Sequence, residues 1–287
     1  MAAPTIAAAP AAAPEEQARR RFAALRGIPP WVGGLIGIVV IVVVWWIASV
    51  TLYQGSGAIP TPPSVVAKFF DAAQWRATLN NASGTVGSAA LGYLWGNVGA
   101  IVLAILVLLI PVLEPLANQI AVVTYCIPLV AVGPVIVIVS GRDAPSGASV
   151  VLAALSCFFT TAVGALLGLR AAPRTSIDLV KAYGGGTWMA LRKVQLISAL
   201  PALFAALKIA APAAFLGAIL AEYLGSGGDS TLGRAIIAAQ TQSNAPQLWY
   251  LALVSGIISG VGFLVVSVVA RLVTPWTSGA DVPAGGR

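Results

Sequence analysis

Long apolar stretches recur along the chain, separated by shorter polar segments. Six of them reach or exceed the roughly 18 residues that mark a membrane-spanning helix. They predict spans near residues 31–53, 86–111, 116–140, 147–169, 200–224 and 249–274. Each can cross about 30 Å of hydrocarbon. The pattern therefore predicts an all-α fold, a polytopic membrane bundle of about six transmembrane helices.

Composition supports a membrane class and suggests how the chain is organised. Of 287 residues, 59% are hydrophobic and only 9% are charged. The spans use most of this length, which leaves none for a soluble catalytic domain. We expect a disordered cytoplasmic tail at residues 1–30, a transmembrane domain at 31–276 and a short C-terminal tail at 277–287.

Basic residues predict the orientation, because short cytoplasmic loops retain Lys and Arg. With the amino terminus inside, the cytoplasmic set has eleven members: Arg19, Arg20, Arg21, Arg26, Arg170, Arg174, Lys181, Arg192, Lys193, Arg271 and Arg287. The outer set has four, Lys68, Arg76, Arg142 and Arg234, and Lys208 falls within a span. Both termini are thus predicted to be cytoplasmic. The net charge of +7 reflects this topology and gives no reason to expect nucleic-acid binding.

The residue types present argue against an enzyme. The chain has no histidine, and its two cysteines, Cys126 and Cys157, lie in apolar stretches without metal-ligand spacing. A membrane-embedded enzyme would have to work with Ser, Tyr or Lys alone. We therefore expect no catalytic residue, no metal site and no cofactor in this chain.

The segment from Pro173 to Pro201 is too polar for the bilayer core. Its basic residues are Arg174, Lys181, Arg192 and Lys193, and each Arg or Lys at a span centre costs roughly 2.5–3.5 kcal/mol. A short helix, the break Gly184–Gly186 and a second helix bearing Trp188, Leu191 and Val194 form a compact knob with apolar faces that need a partner surface. A loop that only connects spans needs about 2–8 residues. We favour docking of a partner over the alternative, a basic loop that only follows the charge bias.

In this segment the sequence resembles the membrane permeases of binding-protein-dependent ABC importers. Their motif is an acid-Ala-Ala stretch, a glycine three residues later, a spaced aliphatic residue and Leu-Pro. The matching positions are Asp178, Gly184, Val194 and Leu196.

The motif also shows departures. Leu179 and Val180 replace the two alanines, and Ile197 replaces the first proline. Leu200 and Pro201 supply a second Leu-Pro of the kind that many members carry.

The resemblance extends from about residue 60 to 271 and is nearest to the branch that serves nitrate, sulfonate, taurine and thiamine-precursor uptake. Pro60, Pro62 and Val65 look like its Pro-x-Pro-x-x-Val entry. Glu222, followed by Leu232 and Gly233, looks like its Glu and Gly-Leu-Gly region, with Thr231 in place of the first glycine.

This resemblance implies half of a transporter for a small polar or anionic solute. Two permease subunits would pair, each loop 172–200 would sit in a cleft of a cytoplasmic ATPase dimer, and an external binding protein would deliver the cargo. ATP and Mg would be bound by the ATPase, since no lysine here closes a G-x-x-x-x-G-K-[ST] loop. The implied ATPase-coupling residues are Asp178, Lys181, Ala182, Tyr183, Gly184, Gly185, Gly186, Trp188, Val194, Leu196 and Pro201.

Four polar residues are candidates for the substrate pathway: Lys208, Tyr125, Ser88 and Glu222. Lys208 lies about two turns into the fifth span, where it is either functional or able to extend its ammonium to the interface. Glu222, at the outer end of that span, contacts the binding protein, caps a bend or is exposed at the interface. The alternative function is an ion-coupled secondary transporter. It would need an ionisable residue deep in the bundle, and only Lys208 qualifies from the sequence.

Overall fold

The computed structural model describes residues 30–52, 57–140 and 146–277. Its regular structure in these ranges is helical, without strands, which confirms the all-α prediction. Apart from Pro30 and Thr277, the two predicted tails lie outside the described residues. The chain divides into two compact units, residues 1–63 and 64–287.

Eleven α-helices make up most of the described residues. They are α1 (Pro30–Thr51), α2 (Pro62–Phe69), α3 (Ala72–Leu109), α4 (Glu114–Cys126), α5 (Leu129–Ser140), α6 (Gly147–Arg170), α7 (Arg174–Ala182), α8 (Thr187–Ala190), α9 (Leu196–Tyr223), α10 (Leu232–Thr241) and α11 (Ala245–Val273). A π-helical turn, Leu191–Gln195, joins α8 to α9, so that the helix runs without a break from Thr187 to Tyr223.

Five of the described helices are long and apolar enough to cross a bilayer: α1, α3, α6, α11 and the run Thr187–Tyr223. The pair α4 and α5 adds a sixth crossing if it is counted as one span. The protein is thus a multi-pass membrane protein, as predicted.

The third predicted span is not a straight helix. Its two parts, α4 and α5, meet at an angle of 95°. Pro128 stands at the break, and Ile127 before it has extended backbone (φ −65°, ψ 119°). A proline lacks the N–H that would continue the helix and disfavours helical backbone in the residue before it. The apolar pattern alone did not show this bend.

Two spans begin earlier than hydropathy predicts. The second predicted span is part of α3, which starts at Ala72. Asp71 caps this start, because its side chain accepts hydrogen bonds from the N–H groups of Ala73 (3.0 Å) and Gln74 (3.3 Å). The fifth belongs to the helix that starts at Thr187. Hydropathy locates the part of a helix that suits lipid, whereas caps determine where the helix begins.

Helix α6 packs against α3 on one side and α9 on the other. A Cβ on Gly92 of α3 would lie 2.4 Å from the Cβ of Ala153, and one on Gly168 of α6 would lie 2.9 Å from the Ala199 carbonyl oxygen. Small residues therefore let these backbones approach closely, as is usual in membrane bundles.

The second unit has two distinguishable ends. Arg170, at the end of α6, forms a 2.7 Å ion pair with Glu114, at the start of α4. At the opposite end, a Cβ on Gly133 of α5 would touch Leu224, which follows α9. The bent pair α4–α5 therefore passes from one end to the other. We call the end with residues 171–186 the loop end, and the end with residues 224–244 the far end.

In the first unit, the chain after α1 folds back on it. The indole N–H of Trp45 donates to the Pro60 carbonyl at 3.1 Å, and the Ser49 hydroxyl donates to the Ile59 carbonyl at 2.8 Å. These bonds satisfy polar groups that would otherwise be costly in an apolar environment.

Candidate functional site

Helix α7 at the loop end has no buried residue. Leu179 is 58% exposed and Tyr183, which follows the helix, is 86% exposed. Asp178, Lys181 and Ala182 are exposed as well. Exposed apolar side chains that lie together and are rimmed by polar residues mark interaction sites when they form a large patch. Helix α7 thus presents predicted coupling residues to its surroundings.

The end of α7 is closed by a Schellman motif. The N–H of Gly185 donates to the Val180 carbonyl at 2.8 Å, and that of Gly184 donates to the Lys181 carbonyl at 2.9 Å. Gly184 has φ +76°, a left-handed conformation that strains residues with a side chain. The predicted glycine break is therefore a defined turn, with Gly184 in the position that requires glycine.

The other two glycines differ in their surroundings. A Cβ on Gly185 would lie 2.5 Å from Val180 Cγ1 and 2.8 Å from the Val180 carbonyl oxygen, whereas one on Gly186 would meet nothing within 4 Å. Gly186 has φ −81°, which any residue adopts. Only two of the three glycines are required by the backbone.

The second half of the predicted knob is fastened to the bundle. Leu191 is buried in a cluster with Ala104, Ala165, Leu169 and Ala199. The prediction that the apolar face of this helix needs a partner is therefore wrong for Leu191.

The remaining predicted coupling residues take intermediate positions. Trp188 is 59% exposed. Val194 lies half-buried in the π-helical turn, Leu196 is 36% exposed, and Pro201 lies inside α9. The exposed part of the predicted knob is thus α7, while its second helix, α8, is the beginning of the continuous helix Thr187–Tyr223.

A cavity of about 520 Å³ lies beside α7. Its lining includes Arg170, Arg174 and Lys181, together with Glu114 and Asp178. Three cations against two acids make the cavity positive. Such a cavity suits contact with a charged partner surface.

The four pathway candidates do not form one site. Ser88 is buried, and its hydroxyl donates to the Gly84 carbonyl of its own helix at 3.2 Å. Lys208 is half-buried and makes no hydrogen bond or ion pair within the described ranges. It lies roughly 20 Å from the Tyr223 end of its helix and roughly 30 Å from Thr187. Lys208 is thus near the middle of this helix.

Tyr125 is the candidate that lines a cavity. Its ring, 71% exposed, lies 4.5 Å from that of Phe159 (centroid to centroid). The cavity has a volume of about 260 Å³, and its lining includes Thr124 and Ser156 but no charged residue. It lies at the break between α4 and α5, opposite α9.

Glu222 is completely buried. Its Oε2 accepts hydrogen bonds from the Thr85 hydroxyl at 2.8 Å and from the Gly233 N–H at 3.1 Å. Exposure at the interface was a wrong expectation, because α3 and α10 cover the carboxylate. The expectation that only Lys208 is ionisable inside the bundle was also wrong. The sequence did not indicate Thr85, because only the spacing of the Glu and Gly-Leu-Gly region pointed to this cluster.

Comparison with known proteins identifies the kind of chain. Residues 96–279 match the family described as the binding-protein-dependent transport system inner membrane component. The chain is 27% identical over 249 residues to a riboflavin transport system permease protein of Chloroflexus aurantiacus, covering 85% of this chain and 90% of that protein. It is 23% identical over 236 residues to a formylaminopyrimidine transport permease protein of Halalkalibacterium halodurans, covering 82% and 92%. A probable ABC transporter permease protein of Haemophilus influenzae is 31% identical over 169 residues, or 58% of this chain and 66% of that protein.

Proposed function

Because the chain belongs to the family of inner membrane components of binding-protein-dependent transport systems, we propose that it is the permease subunit of an ABC importer. ATP hydrolysis on a separate cytoplasmic ATPase dimer drives transport, and that dimer binds the ATP and Mg. An external binding protein delivers the cargo. A second permease subunit, identical or related, completes the pathway.

The observation that carries this proposal is the loop end. Helix α7 has no buried residue, yet it is held in one orientation by the Gly184 turn and by the anchored Leu191. An exposed helix whose end is joined to the bundle by a defined turn can transmit a displacement from a partner to the bundle. The positive cavity beside α7 adds charge complementarity for an acidic partner surface.

The cargo that we propose is a small polar or anionic solute. Two relatives are named for transport of riboflavin and formylaminopyrimidine, which are small polar molecules. The cavity at Tyr125 provides hydroxyl groups and an aromatic ring, which suit such a solute. Lys208, half-buried near the middle of its helix, could attract an anionic group.

We propose that both termini are cytoplasmic in the cell membrane, with lipid around the apolar helices. The loop end carries Arg170, Arg174 and Lys181, as expected for a cytoplasmic face. The far end then faces the binding protein.

The test of the coupling role is association with the ATPase. Tyr183→Asp and Leu179→Asp place a charge on exposed apolar positions of the loop end and so leave the core intact. The amount of ATPase that is recovered with the tagged chain from detergent-solubilised membranes should fall about tenfold or more in each variant, as expected for a residue at the centre of an interface. Gln242→Asp, a change at a position that is also exposed but lies at the far end, is the matched control and should recover the wild-type amount of ATPase.

ATP dependence separates this function from ion-coupled transport. The purified complex in liposomes should accumulate the small molecule that co-purifies with the binding protein only when ATP is present, and vanadate should stop it. Accumulation by this chain alone, driven by an ion gradient, would instead establish the secondary transporter.

A further inference from the structure

The buried Glu222 carboxylate holds the start of a neighbouring helix. The first N–H groups of any helix lack partners within it and carry the positive end of the helix dipole. In α10, Leu232 N–H donates to Thr85 Oγ1 at 3.0 Å, and Gly233 N–H donates to Glu222 Oε2 at 3.1 Å. Thr231 Oγ1 accepts from Arg234 N–H at 3.5 Å. Two of these three acceptors thus come from other helices, α3 and α9.

This joint is tight in its backbone as well as in its hydrogen bonds. A Cβ on Gly233 would lie 2.4 Å from Glu222 Cβ, and a Cβ on Gly84 would lie 2.6 Å from the Ser230 carbonyl oxygen. The start of α10 therefore cannot shift against α3 or α9 without breaking buried hydrogen bonds. We call Glu222, Thr85 and the first residues of α10 the far-end clamp.

One helix connects this clamp to the loop end. The helix Thr187–Tyr223 has 37 residues, or about 55 Å at 1.5 Å per residue. It begins directly after the glycine turn, and Leu191 near its start is packed against the bundle. Glu222 lies one residue before its other end. This helix is therefore a continuous connection between the turn after α7 and the clamp.

Burying a carboxylate at this joint has a cost. A completely buried carboxyl group is costly to remove from water, whereas an apolar side chain of similar size would leave the Gly233 N–H without this acceptor. What the carboxylate adds is direction, because it holds specific N–H groups of α10 in a specific orientation. Among the described residues, its second oxygen has no hydrogen-bond partner.

We propose that Glu222 is a positioning residue for transport, with Thr85 as its partner. The far-end clamp makes α10 move with α3 and α9, so that a movement at the far end is coupled to a movement at the loop end. This inference rests on the proposed function, in which the far end meets the binding protein and the loop end meets the ATPase. It assigns no contact with the cargo to Glu222.

The test uses the complete complex of this chain with its ATPase in liposomes, and the binding protein purified with its natural cargo. The measured quantity is the ATPase rate with binding protein divided by the rate without it. Glu222→Leu and Thr85→Val should keep the basal ATPase rate but lower this ratio about tenfold. If the wild-type ratio is itself below about ten, the ratio should fall to one. This size of effect is expected when buried donors lose their acceptor. Glu222→Gln, which keeps an acceptor oxygen, and Thr85→Ser, which keeps the hydroxyl, should retain most of it.

Ser83→Ala is the matched control, because Ser83 is exposed on the same helix and its hydroxyl bonds only within it. It should behave as the wild type. A wild-type ratio in Glu222→Leu and Thr85→Val would overturn the inference. The inference would also be overturned if these variants lost basal ATPase rate and thermal stability to the same extent as they lost stimulation. A Thr85→Ser variant without stimulation would overturn it as well. If the wild-type complex itself shows no stimulation by the binding protein, the proposed function fails instead.

Discussion

At the scale of single residues, the molecule depends on a few positions where backbones or polar groups meet. Gly184 adopts a left-handed conformation, Gly233 leaves space for Glu222, and Thr85 both donates to the carboxylate and accepts from α10. None of these three is distinguished by hydropathy. The importance of Gly184 follows from its backbone conformation, and that of Gly233 and Thr85 follows from the atoms within about 3 Å of them.

Gly233→Ala should destabilise the protein, because its Cβ would overlap Glu222 Cβ and approach the Ile219 carbonyl oxygen to 2.9 Å. Relieving such an overlap by shifting backbone costs about 1–3 kcal/mol. Thermal unfolding of the purified chain in detergent measures the loss. Gly228→Ala is the control, since a Cβ there meets nothing within 4 Å, and it should stay within about 0.5 kcal/mol of the wild type. Equal stability of both variants would contradict the close approach.

At the scale of helices, breaks and joints matter more than apolar length. Pro128 divides one predicted span into α4 and α5, while Pro201 and Pro212 lie within α9 without ending it. The π-helical turn Leu191–Gln195 likewise leaves the helix continuous. Helix α7 is different, because none of its residues is buried and its end is set by the Gly184 turn.

Gly184→Val should loosen α7 without unfolding the bundle. A side chain at φ +76° costs about 1–2 kcal/mol, and that cost falls on the local turn. Amides of residues 176–185 should therefore exchange hydrogen about five- to thirtyfold faster, while those of α6 remain unchanged. Gly186→Val, at φ −81° with open space around it, should exchange like the wild type. Unchanged exchange in the Gly184 variant would show that the turn does not order α7.

At the scale of the whole molecule, the bundle has a loop end and a far end joined by α3, α6 and α9. The ion pair of Arg170 with Glu114 and the contact of Gly133 with Leu224 establish that α4–α5 connects the two ends. Together with α1, the pair α4–α5 counted as one span gives six crossings, and with six crossings we expect both termini on the same side. The basic residues at the loop end favour the cytoplasm for that side.

A topology experiment checks this arrangement directly. A reporter enzyme fused after Arg287 should be active only in the cytoplasm. A reporter inserted after Gln242, in the exposed turn before α11, should be active only outside. The physical reason is that basic loops are retained on the cytoplasmic side during insertion. The opposite pattern for both reporters would reverse the orientation, and the same side for both would exclude α11 as a crossing.

Hydropathy and charge were sufficient for the membrane class and the approximate number of crossings, and the motif was sufficient for the family, because these properties depend on composition and local order along the chain. The predicted loop at 172–200 is a loop only in part, since a continuous helix begins at Thr187. Packing determined the rest. Glu222 is buried because the start of α10 meets α3 and α9 there, and Leu191 is anchored because it packs against residues of α3, α6 and α9. The contact of Thr85 with Glu222 joins residues more than a hundred positions apart, and no local pattern records which helices will meet.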